Sequence, residues 1–180
     1  GTVVFTGVSG AIFGANAKNF TNLQINNGAI ISNSAGGNVS IAGSYTNNGT
    51  FTQASTLTTA FSGGTQAMSG SGSSTFGSFT VQGTSTLSAG SHNFTVNGGT
   101  FSVSSGGTFI GGTATVSFSG ATTMGSGTGT YNFNNITISS GTLSNSTNNK
   151  SFNLSGDWTN NGAYTKGTET ITLNGTTANQ

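Results

Sequence analysis

The chain has 180 residues, enough for one ordinary domain, and almost no charge: three basic residues, two acids and one His, for a formal net charge of +1. It has no Cys and no Pro, which excludes disulfide stapling and thiolate metal sites. A near-neutral chain has no electrostatic footprint for nucleic acid, and no apolar run approaches the ~20 residues of a membrane span.

Gly, Ser, Thr and Asn make up well over half of the residues. Charge is too scarce to keep such a chain expanded by self-repulsion. Periodicity therefore has to separate a fold from low complexity. The chain opens on TVVFTG at Thr2–Gly7 and returns to it as TTAFSG at Thr58–Gly63, TVSFSG at Thr115–Gly120 and TITLNG at Thr170–Gly175. The spacing is about 56 residues, the mark of a repeat architecture. The whole of 1–180 reads as one domain, with repeats at about 2–57, 58–114 and 115–169 and the start of a fourth at 170–180. The absence of an initiator Met or leader before Gly1 implies a processed product or an excerpt of a longer chain.

A shorter motif runs inside the repeat: two apolar residues separated by one, often with Gly soon after. In chain order it falls at Val3/Phe5, Leu23/Ile25, Val39/Ile41, Thr59/Phe61, Phe79/Val81, Phe94/Val96, Val116/Phe118, Ile136/Ile138, Phe152/Leu154 and Ile171/Leu173. Steps of about 20 residues alternate with shorter ones of about 16, and the long-short-long rhythm returns in every repeat. Period-two alternation bounded by Gly and Asn predicts half-buried strands. Abundant Gly and β-branched Thr disfavour helix.

Doublets spaced this widely do not suit two-residue hairpins. The spacing predicts an all-β, right-handed parallel β-solenoid (a β-helix) of about nine coils of ~19 residues, grouped in threes. A Greek-key sandwich is the structural alternative. On the solenoid reading Phe5, Phe61, Phe118 and Leu173 occupy one core column. Phe20, Phe76 and Phe133 form a second, and Phe51, Phe109 and Tyr164 a third. The opposite phase, such as Asn22/Gln24/Asn26, Ser78/Thr80/Gln82 and Asn135/Thr137/Ser139, faces outward as a flat, uncharged surface. Gly at the corners supplies positive φ where Pro is missing.

Few residues offer chemistry. Asp157 and Glu169 are the only carboxylates, and their different positions relative to the doublets keep them from converging on one cleft. Glu169 and Lys150 stand at matching places in adjacent coils, which predicts a surface ion pair. His92 lacks the company that a metal site needs and reads as a corner residue. Trp158 in DWTNNG matches Tyr45 in SYTNNG and reads as a packing residue. No catalytic, cofactor-binding or metal-ligating residue is expected, and no enzyme. Nine Asn-x-Ser/Thr sequons occur, no more than this composition produces by chance. Among them the outward Asn38, Asn93 and Asn135 are the candidate glycosylation sites.

The doublet tag and phrases such as SYTNNGTF and DWTNNGAY resemble the β-helical stalks of bacterial surface and exported proteins, the filamentous-haemagglutinin-type exoproteins and autotransporter passengers. That resemblance implies export to the cell surface or beyond, an elongated β-helix, and scaffold or adhesive work without catalysis. The expected function is thus a structural subunit or segment of an extracellular fibre, sheath or surface layer. Its expected partner is itself, end to end and laterally, since exposed solenoid ends are strand edges ready to pair. The alternative is an adhesin stalk or carbohydrate-binding module with glycans as partner. Ice binding ranks lower, because the outward positions mix Ser, Asn, Gln and Ala with Thr. A β-helix enzyme such as a polysaccharide lyase would need clustered acids and bases that this chain lacks.

Overall fold

In the computed structural model, residues 1–176 are described, and they contain 25 short strands and no helix. The expected start of a fourth repeat, 170–180, lies partly outside the described residues. Strands follow wherever apolar and polar residues alternate, and their burial alternates with them, as in Asn135–Ile138.

In chain order the first eight strands are β1 (Thr2–Phe5), β2 (Gly10–Ala11), β3 (Lys18–Phe20), β4 (Asn22–Ile25), β5 (Ile30–Asn33), β6 (Val39–Ile41), β7 (Tyr45–Asn47) and β8 (Thr50–Gln53). The next eight are β9 (Thr58–Phe61), β10 (Thr65–Ser69), β11 (Ser73–Phe76), β12 (Ser78–Val81), β13 (Thr86–Ser88), β14 (Phe94–Val96), β15 (Gly99–Val103) and β16 (Thr108–Ile110). The third set is β17 (Thr115–Phe118), β18 (Ala121–Met124), β19 (Thr130–Phe133), β20 (Asn135–Ile138), β21 (Thr142–Ser144), β22 (Phe152–Leu154), β23 (Trp158–Asn160) and β24 (Ala163–Thr165). Then β25 (Ile171–Leu173) begins the cycle again.

Every third strand belongs to the same parallel sheet. Sheet 1 has nine strands, β1-β4-β7-β10-β13-β16-β19-β22-β25. Sheet 2 has eight, β2 to β23, and sheet 3 has eight, β3 to β24. The chain is thus a three-sided β-solenoid of about eight turns. At ~4.8 Å per rung, the eight steps of sheet 1 make a rod roughly 38 Å long.

Thr2 pairs with Asn22, Leu23 with Tyr45, and Phe152 with Ile171, so a coil takes about 19 to 23 residues, and about eight turns stand where about nine were expected. The expected core columns are corrected. Phe5 lies in sheet 1, Phe61 in sheet 3 and Phe118 in sheet 2, and only Leu173 returns to sheet 1. Phe20, Phe76 and Phe133 are spread over the three sheets in the same way, as are Phe51, Phe109 and Tyr164.

The cause is arithmetic. The 56-residue repeat holds eight strands and a coil holds three, so each repeat advances the pattern by two and two-thirds turns. The uneven rhythm follows. A step of about 20 residues spans three strands and keeps a doublet on its sheet. A step of about 16, as from Ile25 in β4 to Ile41 in β6, spans two strands and moves the doublet to the neighbouring sheet. Three repeats make eight whole turns, after which the same strand type faces the same way. The repeat is therefore a repeat of environments. Phe61 stacks between Ile41 and Val81, and Phe118 between Val96 and Ile138, on different faces but with equivalent neighbours.

The core is a narrow column dominated by aromatic rings. Phe79 lies parallel to Phe101 at 5.1 Å and to Phe94 at 4.8 Å, with Phe61, Phe76 and Phe109 set at an angle around it. Full burial of a side chain of this size stabilises by ~1.5–3 kcal/mol, which compensates for the scarcity of Leu. Corners turn tightly. Gly70 has φ +98°, and a Cβ there would lie 2.2 Å from the carbonyl oxygen of Asn47 in the coil below.

Candidate functional site

The charged residues are dispersed. The Lys150 ammonium donates to the Ser126 carbonyl at 3.1 Å, and the Lys18 ammonium donates to the Gly14 carbonyl at 2.9 Å. Glu169 accepts from the Tyr164 hydroxyl and, at 2.7 Å, from the Gly167 N–H. The ion pair expected between Lys150 and Glu169 is therefore replaced by separate local bonds. Lys150 reaches back to the preceding coil, whereas Glu169 is held by Tyr164 and Gly167 close by in its own coil. Burial works against ionising Glu169, yet the hydrogen bonds from Tyr164 and Gly167 hold its carboxyl below the ordinary value. Burial and the bond to Glu169 push the Tyr164 phenol well up. Asp157 stands just before β23, where its backbone N–H donates to the Asn135 side chain at 2.8 Å. Among the described residues no group of three or more His, Cys, Asp or Glu could hold a metal ion, and no helix is long and apolar enough to cross a membrane.

One polar cluster is buried in the core, and the sequence did not reveal it. His92, between β13 and β14, is 1% exposed. Its Nδ1 lies 2.8 Å from the Gly70 carbonyl oxygen, and its Nε2 lies 2.8 Å from Ser74 Oγ. A carbonyl only accepts, so Nδ1 carries the proton and Nε2 accepts from Ser74. Ser74 Oγ in turn accepts from the Tyr45 hydroxyl and from Asn47 Nδ2, both at 2.8 Å. The hydroxyl thereby uses its one proton and both lone pairs. A buried Ser–His contact of this kind has no lone pair to offer a substrate, so its geometry is that of a satisfied polar network inside a hydrophobic column. Burial lowers the His92 pKa and raises that of Tyr45, keeping both neutral. His92 is thus a corner residue as expected, but one turned inward. Trp158 packs as expected: parallel to Phe152 at 6.1 Å and edge-on to Tyr164 at 5.1 Å.

The outer faces are stitched by short side chains. Asn22, Asn38, Asn93 and Asn135 each precede a doublet. Their Oδ1 atoms accept the backbone N–H of Ser44, Thr58, Thr115 and Asp157 in the next coil, at 2.7–2.9 Å. Hydroxyl pairs such as Ser40–Ser62 at 3.0 Å and Thr46–Ser69 at 3.1 Å, and the amide pair Asn153–Asn132 at 2.8 Å, continue the bonding along the rod. Of the candidate glycosylation sites, Asn38 and Asn93 are exposed, while Asn135 is half-buried and donates weakly to Thr115 at 3.4 Å. The surface carries open clefts. The one beside Asn93 is lined by Ser71, Gly72, Ser73, Thr95 and Ser117, polar and uncharged, with Phe94 as its only aromatic.

The ends of the rod are the remaining feature. β1, β2 and β3 each pair on one side only, and so, among the described residues, do β23, β24 and β25. Comparison of the chain with protein-family models, with curated proteins and with solved structures finds no match.

Proposed function

We propose that this chain is a non-catalytic structural subunit or segment of an extracellular fibre, sheath or surface layer, lengthened by end-to-end β-stacking. The observation that carries the reading is the set of strand edges at both ends of the three sheets, open among the described residues. Unpaired edges in register are templates for further strands. A net charge of +1 adds no repulsion between copies. The mixed Ser, Thr and Asn faces bond along the rod. Asn38 and Asn93 are where an attached glycan would sit without disturbing the core.

The test is elongation of the purified chain. With increasing concentration, light scattering should rise over hours and negative-stain images should show unbranched rods in multiples of one subunit length. Monomeric rods at every concentration would overturn the proposal. Saturable binding of one sugar class on a glycan array, without elongation, would favour the adhesive alternative.

A further inference from the structure

We infer that Asn27 is a site of spontaneous covalent modification. Of three NNG turns in this chain, its turn alone leaves the asparagine side chain open to attack by the backbone nitrogen of the following glycine. The product is aspartate or isoaspartate, formed through a cyclic succinimide. The inference is independent of the stacking reading above.

The phrase NNG occurs at 26–28, 47–49 and 160–162. In the second turn the Gly49 N–H donates to Asn47 Oδ1 at 2.9 Å. In the third the Gly162 N–H donates to Asn160 Oδ1 at 3.2 Å. Each first Asn thus bonds the backbone two residues on, as this side chain often does in turns. The first turn lacks that bond. Asn26 Oδ1 accepts instead from Gln24 Nε2 at 2.8 Å, and the Gly28 N–H has no partner among the described residues. A bonded N–H must first give up its partner before the nitrogen can react, whereas that of Gly28 has nothing to give up.

The surroundings differ in the same direction. Gly28, at φ +80°, stands third in a turn closed by the Ala29 N–H on the Asn26 carbonyl at 3.0 Å. A Cβ on Gly28 would meet no atom within 4 Å. Asn27 is exposed, and its amide bonds to none of the described residues. The other two glycines lie against the preceding coil. A Cβ on Gly49 would be 2.2 Å from the Ala29 carbonyl oxygen, and one on Gly162 would be 2.7 Å from that of Gly141. Asn48 is also tied, since its Oδ1 accepts from the Ser71 N–H at 3.2 Å.

The chemistry needs only water. Solvent takes the proton of the Gly28 N–H, and the nitrogen attacks Asn27 Cγ; glycine leaves this nitrogen uncrowded, having no side chain. The new N–Cγ bond closes the succinimide ring, the Cγ–Nδ2 bond breaks, and the proton departs with ammonia. Water then opens the ring at either carbonyl. One opening gives aspartate and the other isoaspartate, each with one oxygen from water. Either product puts a negative charge at the corner between sheets 1 and 2, on a chain whose formal net charge is +1.

The test holds the native chain at mildly alkaline pH in water enriched in oxygen-18 and follows each NNG turn by peptide mapping and mass spectrometry. Modification at Asn27 should outrun that at Asn48 and at Asn161 at least tenfold. It should yield isoaspartate as well as aspartate and take up labelled oxygen. In the urea-unfolded chain the three rates should converge, because the local phrase is the same. Asn160→Ala frees the Gly162 N–H at an exposed position and should speed Asn161 at least threefold. Gln24→Ala releases Asn26 Oδ1 to accept the Gly28 N–H and should slow Asn27. Equal rates at the three turns of the folded chain would overturn the inference, as would a preference for Asn27 that persists in urea. Unchanged rates in both variants would overturn it too. Circular dichroism checks that both variants keep the native β spectrum.

Discussion

The first coil and the coils in the middle of the rod are made from the same strand types, yet they bury them differently. Phe61 in β9 is fully buried, whereas its counterpart Phe5 in β1 is only partly so. Phe76 in β11 is fully buried, and its counterpart Phe20 in β3 is not. Val8 and Phe13, in the turns of the first coil, are 80% and 70% exposed. Sequence type does not explain the difference. A coil this thin encloses no core of its own and becomes buried only when a coil lies on each side. Stability should therefore be greatest where rings from several coils meet and should fall off toward β1.

Phe79→Ala breaks the strong side of that comparison. The ring contacts five other rings from neighbouring strands, and the stacked backbones cannot close the space left behind. A loss of about 3–5 kcal/mol is expected. Chemical denaturation should show a midpoint far below the native one. The same truncation at Phe5 should cost much less, because half of the ring's neighbours are missing there. Equal losses at the two sites would mean that the middle coils are no more cooperative than the first.

The same comparison shows what could be read from the residues. The all-β class, the inward and outward phases and the solenoid itself follow from the doublets, because alternation is a local property. The equivalence of Tyr45 and Trp158 was visible too, since both begin the seventh strand of the repeat. The number of strands per coil was not. Many strands pair one inward apolar residue with a buried polar one, as Met68 with Gln66 in β10, Phe76 with Ser74 in β11 and Met124 with Thr122 in β18, so they show no doublet, while β15 and β19 carry doublets, Phe101/Val103 and Tyr131/Phe133, outside the ten. Counting doublets merged a three-strand step with a two-strand step and hid the rotation of the repeat around the faces. The His92 cluster was invisible for the same reason. Its partners Ser74 and Tyr45 lie in other coils and meet His92 only once the coil length is right.

That cluster gives the next test, within the middle coils. His92 is the only imidazole in the chain, and its pKa is lowered in the folded state. The unfolded chain has the ordinary value of ~6.5. Below it the unfolded state binds a proton that the folded state refuses, so stability is full above pH ~6.5 and falls as the pH drops through that value. The expected slope is up to ~1.4 kcal/mol per pH unit between the unfolded and folded values. Urea midpoints measured from pH 7.5 to 5 should show this fall in the native chain, and the fall should vanish in His92→Gln. A slope that survives the substitution would place the titrating group elsewhere.

The weak side of the comparison predicts the smallest effect. About 56 residues after Phe13 the second repeat has Ser69, the last residue of β10, so Phe13→Ser puts at this place in the first repeat the residue that the second one carries. The ring is mostly in water, and its removal should change stability by no more than ~0.5 kcal/mol. Hydrogen exchange sharpens the point. Amides of β1 to β3 should exchange faster than those of β9 to β11 in the native chain, and Phe13→Ser should leave that order unchanged. If the substitution instead costs more than 1 kcal/mol, or equalises the two sets of rates, the first coil draws stability from a side chain that the structure leaves outside. The account of burial by neighbouring coils would then fail at the end of the rod where it is most exposed.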